Sequence, residues 1–393
     1  MTIKASDGSN NLKFSEIESE FGQNTQRSLG DYRVSETNGS LSNMPLDTGI
    51  PQSGQIKFSD FYSKKLNIVV DFYSDVDGTT EKRKSARNNK YNYTATSTGQ
   101  SNGRWRVVGG FRNRPTDSGE APTGGVRGKK VFINVNKTLG SNSSSTQTVC
   151  ALRTGNWQSE TDLVVDIGGN GKIYGGGGAG GKGDSKENPS GINGGDGNSA
   201  LGITYSGTTV NIASGGLICM GYGGGGGGGT GYNKDRGHPH RYGSGSGGGG
   251  GAGFPGGAGG EKTNTDGNGE TGTDGTAGSL PNFSNGGQPS GGGRGGLAPY
   301  NSHWWEARGG VGGVGGPGAT QLYENLSAGD PSTTGGDYAS GPEDGHVGNQ
   351  NGAGGGNAGN NGAAIRRTSG ISVTINGDNS NTVKGSKTAT GVS

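Results

Sequence analysis

The chain carries four histidines, His238, His240, His303 and His346, and all four lie in glycine-rich stretches. A catalytic imidazole needs a nucleophile within reach and a third group on a rigid element to orient it. No Ser or Cys motif accompanies these residues. His238-Pro-His240 could bring six imidazoles to the axis of a threefold assembly and hold a metal there, but one copy at this spacing reads more simply as a polar loop facing water. Gly176 to Gly181 followed by Lys182 reproduces seven positions of a P-loop, yet Gly183 stands where Ser or Thr must meet Mg²⁺. Gly194-Gly-Asp-Gly-Asn-Ser199 approaches a calcium-binding β-helix repeat and puts Ser where Asp is needed. The expectation is therefore of no enzyme, no cofactor and no metal.

Binding chemistry is better represented. One island contains Tyr232, Asp235, Arg236, His238, His240, Arg241 and Tyr242. A second contains Tyr300, His303, Trp304, Trp305, Glu306 and Arg308, and Tyr323 and Tyr338 follow. Rigid amphipathic rings beside adaptable polar groups are the composition of a paratope. Trp304 and Trp305 could stack on sugar faces while neighbouring Arg and Glu bond hydroxyls. The same rings could instead cap the ends of a glycine bundle and shield its edges, and composition leaves both readings open.

What must position these islands is glycine. Between Gly168 and Gly362 lie 71 of the 92 glycines, with almost no apolar residue at helical or strand period. Such a stretch is either disordered or ordered through backbone contacts. Glycine permits a left-handed extended helix of three residues per turn, in which every N–H and C=O bonds outside its own strand. Read in triplets, residues 309 to 317 are Gly-Gly-Val, Gly-Gly-Val, Gly-Gly-Pro. Two faces of such a helix are bare backbone where collagen has one, which predicts short rods stacked in a bundle and joined by turns.

Length allows two or three domains. Residues 1 to 150 hold 20 Lys/Arg against 14 Asp/Glu, with 12 basic and 3 acidic residues between Glu81 and Lys130. That cluster could meet phosphate or an acidic partner, or simply be a solvated sheet surface; no nucleic-acid partner is expected. Cys150 and Cys219 have no paired spacing that would indicate zinc or a disulfide framework. No stretch is apolar and long enough to span a bilayer, so the expectation is a soluble chain made in a cytoplasm, without membrane insertion.

Three regions follow. Residues 1–65 form a small leading region too poor in large apolar residues to fold alone, expected to dock on something else. Within it Ser15-Glu-Ile-Glu18 reads as a capping box, and Lys13-Phe-Ser-Glu-Ile17 is echoed by Lys57-Phe-Ser-Asp-Phe61. Residues 66–167 contain six β-branched and aromatic runs, at 66–73, 91–96, 104–108, 130–136, 148–152 and 162–167, which predict a β-sandwich. Residues 168–393 form the glycine-rich domain, with inserted strands at 208–212, 217–220 and 371–375. Asn376-Gly377 is a hairpin signal. The fold class is mainly β.

The strand Leu163–Ile167 running into Gly168-Gly-Asn-Gly-Lys-Ile-Tyr-Gly-Gly-Gly-Gly-Ala-Gly-Gly-Lys182, followed by glycine runs alternating with aromatic loops, resembles the glycine-rich adhesins at the tips of tailed-phage long tail fibres. That resemblance implies a sandwich of polyglycine-II helices whose far loops bind the host surface, either a glycan or an outer-membrane protein. The leader, with Phe14-Ser-Glu-Ile-Glu-Ser-Glu-Phe-Gly22, Ser28-Leu-Gly-Asp-Tyr32 and Ile50 to Tyr62, is similar to the start of tailed-phage virion proteins, notably those of marine phages. It implies attachment to other virion proteins through Phe14, Ile17, Phe21, Tyr32, Phe58, Phe61 and Tyr62, and hence residence on the virion. The alternative is a virion component with no adhesive role, in a baseplate, tail or capsid.

Overall fold

Val131 to Val135 and Leu163 to Ile167 are too short for stable helices and rich in β-branched residues, and both lie in strands. A computed structural model of the chain describes residues 11–21, 29, 54–64, 67–72, 96–97, 103–108, 130–141, 146–155, 157, 159–183, 193–228, 231–233, 241–243, 246–262, 274–285, 288–290 and 356–392. These residues are mainly β, with one α-helix, α1 (Phe14–Phe21), and a 3-10 turn (Phe58–Phe61). Three strands come first: β1 (Asn67–Phe72), β2 (Thr96–Ser97) and β3 (Gly103–Val108).

From there the strands recur in threes. β4 (Lys130–Val135), β5 (Thr138–Leu139) and β6 (Cys150–Arg153) are followed by β7 (Asp162–Ile167), β8 (Lys172–Tyr174) and β9 (Ser199–Ile203), then by β10 (Thr208–Ile212) and β11 (Leu217–Cys219). Two hairpins intervene, β12 (Gly231–Asn233) with β13 (Arg241–Gly243) and β14 (Asn282–Asn285) with β15 (Gln288–Ser290). The series then resumes with β16 (Ile365–Arg367), β17 (Val373–Asn376), β18 (Val383–Lys384) and β19 (Ala389–Thr390).

Strands β4, β7, β10 and β17 pair in parallel on face A. Face B is β5, β8, β11 and β18, and face C is β6, β9, β16 and β19. Each turn of chain thus lays one strand on each of three faces, and four turns stack along a coil. β1 extends face A beside β4, with β3 antiparallel beyond it, and β2 closes face C beside β6.

The coil is held by stacks of like residues. Ile133, Val165, Val210 and Ile375 are in register on face A. Leu139, Ile173, Ile218 and Val383 match on face B, and Leu152, Leu201 and Ile365 on face C. All belong to or pack against one core, and Ile173 and Ile218 are wholly buried. Each such side chain contributes roughly 1.5–3 kcal/mol by leaving water. On the outside of face A, Asn376 Nδ2 donates to Asn211 Oδ1 at 2.8 Å and Asn211 Nδ2 to Asp166 Oδ1 at 2.7 Å. A one-residue slip would turn these polar groups inward, so the ladder and the core specify the same register.

The coil needs few residues per turn, since Arg366 on β16 pairs with Ala389 on β19 only 23 positions later. The extra length enters at one corner, between faces B and C: residues 140–149, then 175–198, then 220–364. Among the described residues of these insertions the glycine runs have no helix or strand, yet their backbones are bonded with a period of three. Gly175, Gly178 and Gly181 donate to the carbonyls of Cys219, Tyr222 and Gly225 at 2.8–2.9 Å. Gly177, Gly180 and Gly183 donate to Pro255, Ala258 and Glu261 at 2.8–2.9 Å, while the carbonyls of Gly176 and Ala179 accept from Asn198 and Gly195 at 2.7–2.8 Å.

Seven runs are linked in this way, in two rows. Runs 356–364, 220–228, 246–253 and 274–281 form one row; runs 193–198, 175–183 and 255–262 form the other. A Cβ on Gly178 would overlap the Gly195 carbonyl oxygen, and one on Gly177 that of Gly251. The third phase tolerates side chains: Ala179 and Lys182 in one run, Pro255, Ala258 and Glu261 beside it. Lys182 Nζ and Glu261 lie 3.3 Å apart, so the lysine of the apparent P-loop meets a neighbouring run's carboxylate. At the row's edge, Asn193 Oδ1, Asp196 Oδ1 and Ser199 Oγ accept the N–H groups of Asn357, Asn360 and Ala363 at 2.7–3.0 Å.

Several expectations differ from these observations. A β-sandwich over 66–167 implies two mainly antiparallel sheets; among the described residues of that span β1 with β3 and β2 with β6 pair antiparallel, whereas β4 pairs in parallel with β1 and β7, and β5 and β6 pair in parallel with β8 and β9. Long-range parallel pairing leaves no local turn signature. Asn376-Gly377 does not make a hairpin. Gly377 has φ +78, but it turns the corner from face A to face B, where the next strand, β18, pairs in parallel with β11 instead of folding back on β17. The helix begins at Phe14, so Ser15 is inside it; Glu16, not Glu18, reaches back, accepting the Lys13 N–H at 2.7 Å.

Ile173→Ala is expected to lower unfolding free energy by about 2–5 kcal/mol in denaturant titration. Gly178→Ala is expected to cost at least about 1–3 kcal/mol through overpacking, whereas Ala258→Ser, on the exposed phase, changes stability by less than about 0.5 kcal/mol.

Candidate functional site

Run 220–228 leaves the coil at the end of β11, and run 246–253 comes back beside it in the opposite direction, with Gly228 N–H donating to Ser246 O at 2.8 Å. The turn between them carries the first aromatic island. Antiparallel pairing places Tyr232 opposite Tyr242 and Asn233 opposite Arg241, framed by the pair Gly231 and Gly243. Two of the expected contact tyrosines are thus partners in register across the ribbon. Asp235, Arg236, His238 and His240 fall in 234–240, outside the described residues, as do Tyr300, His303, Trp304, Trp305, Glu306, Arg308, Tyr323 and Tyr338.

The opposite end of the runs is sealed by other aromatics. Phe254 lies edge-on to Tyr174 with ring centroids 6.4 Å apart, and its carbonyl accepts the Ser141 N–H at 3.0 Å. Tyr174, Leu217, Cys219, Tyr222 and Ala252 form a second apolar cluster there, joined by Phe254 and Met220. None of these belongs to an island. The sequence contained a clue, since Tyr174, Tyr222 and Phe254 each adjoin a glycine run rather than a polar loop.

Within the leading region the two echoed segments meet. Phe14 of α1 lies edge-on to Phe58, with centroids 6.0 Å apart. Ile17 and Phe61 are wholly buried, and the Leu12 N–H donates to the Tyr62 hydroxyl at 3.1 Å. Each segment is started in the same way, as the Lys57 N–H donates to Asp60 Oδ2 at 2.7 Å just as Lys13 does to Glu16. Phe58 keeps 40% exposure. Phe21 ends α1, and Tyr32 lies outside the described residues.

Chemical reactivity is low where the structure allows it to be judged. Burial pushes both thiols up to about 12, that of Cys150 despite Arg366 and Arg153 nearby and that of Cys219 despite a hydrogen bond with Tyr222. Thiolate, the reactive form, is therefore scarce at neutral pH. Among the described residues no group of three His, Cys, Asp or Glu is placed to hold a metal, and no helix is long and apolar enough to cross a membrane.

The family model described as phage tail fibre adhesin Gp38 matches residues 95–297, just over half of the chain. The chain belongs to the Gp38 tail fibre adhesin family. No curated protein and no solved structure matches it. The matched span of this adhesin runs from β2 to just beyond β15, so it includes the first turns of the coil, six of the seven glycine runs and the Tyr232–Tyr242 hairpin. The leading pair lies before it and β16 to β19 after it.

Native adhesin at pH 8 is expected to leave both cysteines unmodified by a thiol reagent over hours, with two equivalents reacting on unfolding; titration of free thiols with and without denaturant checks this.

Proposed function

We propose that this tail fibre adhesin acts at a phage tip, where its glycine runs are polyglycine-II helices that hold receptor-binding loops away from the coil. The period-three bonding, and the two crowded phases of a central run such as 175–183, support that reading of the runs, since a three-residue helix turns each phase toward a different neighbour. At 3.1 Å per residue, run 220–228 would carry its hairpin about 25 Å from the coil.

The observation that carries the adhesive reading is the Tyr232–Tyr242 pair at the outer turn, while the coil end is closed by Tyr174, Tyr222 and Phe254. Among the described residues, the aromatics that close the bundle at that end, Tyr174, Tyr222 and Phe254, belong to no island. We assign contact with a host-surface glycan or outer-membrane protein to Tyr232, Asp235, Arg236, His238, His240, Arg241, Tyr242, Tyr300, His303, Trp304, Trp305, Glu306, Arg308, Tyr323 and Tyr338. Attachment to other virion proteins is assigned to residues 1–65, with Phe14 and Phe58 at the surface of the paired segments and Ile17 and Phe61 holding them together.

Phage carrying Tyr232→Ala with Tyr242→Ala, or Trp304→Ala with Trp305→Ala, is expected to adsorb at least about tenfold more slowly to host cells, equivalent to about 1.4 kcal/mol. Particles that contain the variant protein at normal copy number yet adsorb at the wild-type rate would favour the purely structural role. Phe58→Asp is expected to leave the isolated protein folded by circular dichroism and to remove it from purified virions.

A further inference from the structure

We propose that a cleft on the outside of face B, apart from the outer hairpin and the leading pair, binds an acidic saccharide, a sugar carrying phosphate or carboxylate. The cleft has a volume of about 880 Å³, within the range of sites that enclose small molecules.

Its floor is a grid of outward positions. Lys172 pairs with Leu217 across β8 and β11, with Thr382 just before β18, and Tyr174, Cys219 and Lys384 form the next row; all of these but Cys219 line the cleft. The two lysines therefore stand at opposite corners, two strands and two residues apart, or about 12 Å between Cα atoms. Both line the cleft, and no Asp or Glu among the described residues does.

The walls are turns already set by their own hydrogen bonds. In one, Asn379 Oδ1 accepts the N–H groups of Asn381 and Thr382 at 2.8 and 3.2 Å, and Thr382 Oγ1 donates to Gly377 O at 2.8 Å. The other is the corner at 213–216, where Gly216 N–H donates to Ala213 O at 2.9 Å and Ser214 faces the cavity. Across from them Leu280, 44% exposed, and Pro281 supply an apolar edge.

This combination selects a ligand class. A sugar ring presents C–H groups to Leu217, Leu280 and Pro281 and hydroxyls to Ser214 and Asn381. An acidic group at either end of a one- or two-ring saccharide meets a lysine. A nucleotide fits less well, because Tyr174, the one ring lining the cleft among the described residues, is 2% exposed and offers no stacking platform. Inorganic phosphate would use the lysines and ignore the apolar edge. The assignment does not depend on the proposed role of the hairpin.

The test is titration calorimetry on the full chain with glucose 6-phosphate, glucose, inorganic phosphate and a phosphorylated oligosaccharide from a bacterial envelope. Expected are saturable binding of the hexose phosphate, at least about tenfold weaker binding of glucose and of phosphate, and about tenfold loss in at least one of Lys172→Ala and Lys384→Ala, whichever lysine meets the single phosphate. Lys384→Arg should retain binding, Lys182→Ala should have no effect, and melting temperatures should match, as should binding by the Tyr232→Ala, Tyr242→Ala protein. Tighter binding of the oligosaccharide marks an envelope polymer as the source, and equal binding marks a free sugar phosphate. Inorganic phosphate binding as tightly as glucose 6-phosphate, unchanged affinity in both lysine variants, or no binding of either phosphorylated compound would overturn the proposal.

Discussion

The glycine runs depend on backbones approaching one another more closely than any side chain permits. In run 175–183 the N–H groups of two phases and the carbonyls of the third serve three different neighbours, and a methyl group on Gly177 or Gly178 would overlap a facing carbonyl oxygen. Ordering glycine is costly because it loses the most backbone freedom. The compensation is a near-complete set of short hydrogen bonds between runs, which also keeps buried backbone groups partnered. Side chains return on the open phase, as with Ala258 and Glu261, and where they bond the next run themselves, as with Asn193, Asp196 and Ser199.

Coil and glycine runs are one hydrogen-bonded ladder. β8 and β11 pair with an offset of 45 residues, from Lys172 with Leu217 to Tyr174 with Cys219, and the bonding continues without interruption into Gly175 with Cys219 and Gly178 with Tyr222. On the return side, Gly194 and Gly197 donate to Asn357 and Asn360 before β9 and β16 take over at Leu201 and Ile365. The apolar stacks of the coil therefore set the register of runs that contain almost no information of their own. A lattice of bare glycine has many equivalent registers; attachment to stacked Leu139, Ile173, Ile218 and Val383 selects one.

What could be read without coordinates follows from where local signals exist. β7 and β10 are legible to the residue because Asp162–Ile167 and Thr208–Ile212 are long and β-branched enough to declare themselves. β5, β18 and β19 are two residues long and carry no period at all. The three-faced coil rests on pairings such as Ile365 with Leu201, across 164 positions, and no window along the chain contains both partners. Residues 309–317, from which the triplet period is read, lie outside the described residues; in run 175–183 the bonding repeats every three residues and two phases are crowded. For the site, the glycines flanking Tyr232 and Tyr242 show that an island is being framed, but not that the two residues pair in register. The acidic-saccharide cleft was invisible, since Lys172 and Lys384 become neighbours only through the fourth turn of the coil.

The entry of every insertion through one corner has a further consequence. The 140–149, 175–198 and 220–364 excursions begin after a face B strand and end before a face C strand, while the last turn crosses the same gap with 385–388 alone. The coil closes equally well over four residues or over more than a hundred. A lineage built this way can lengthen, shorten or trade whole excursions by recombination at a single structural joint, and its binding repertoire can diversify while the part that must fold stays constant.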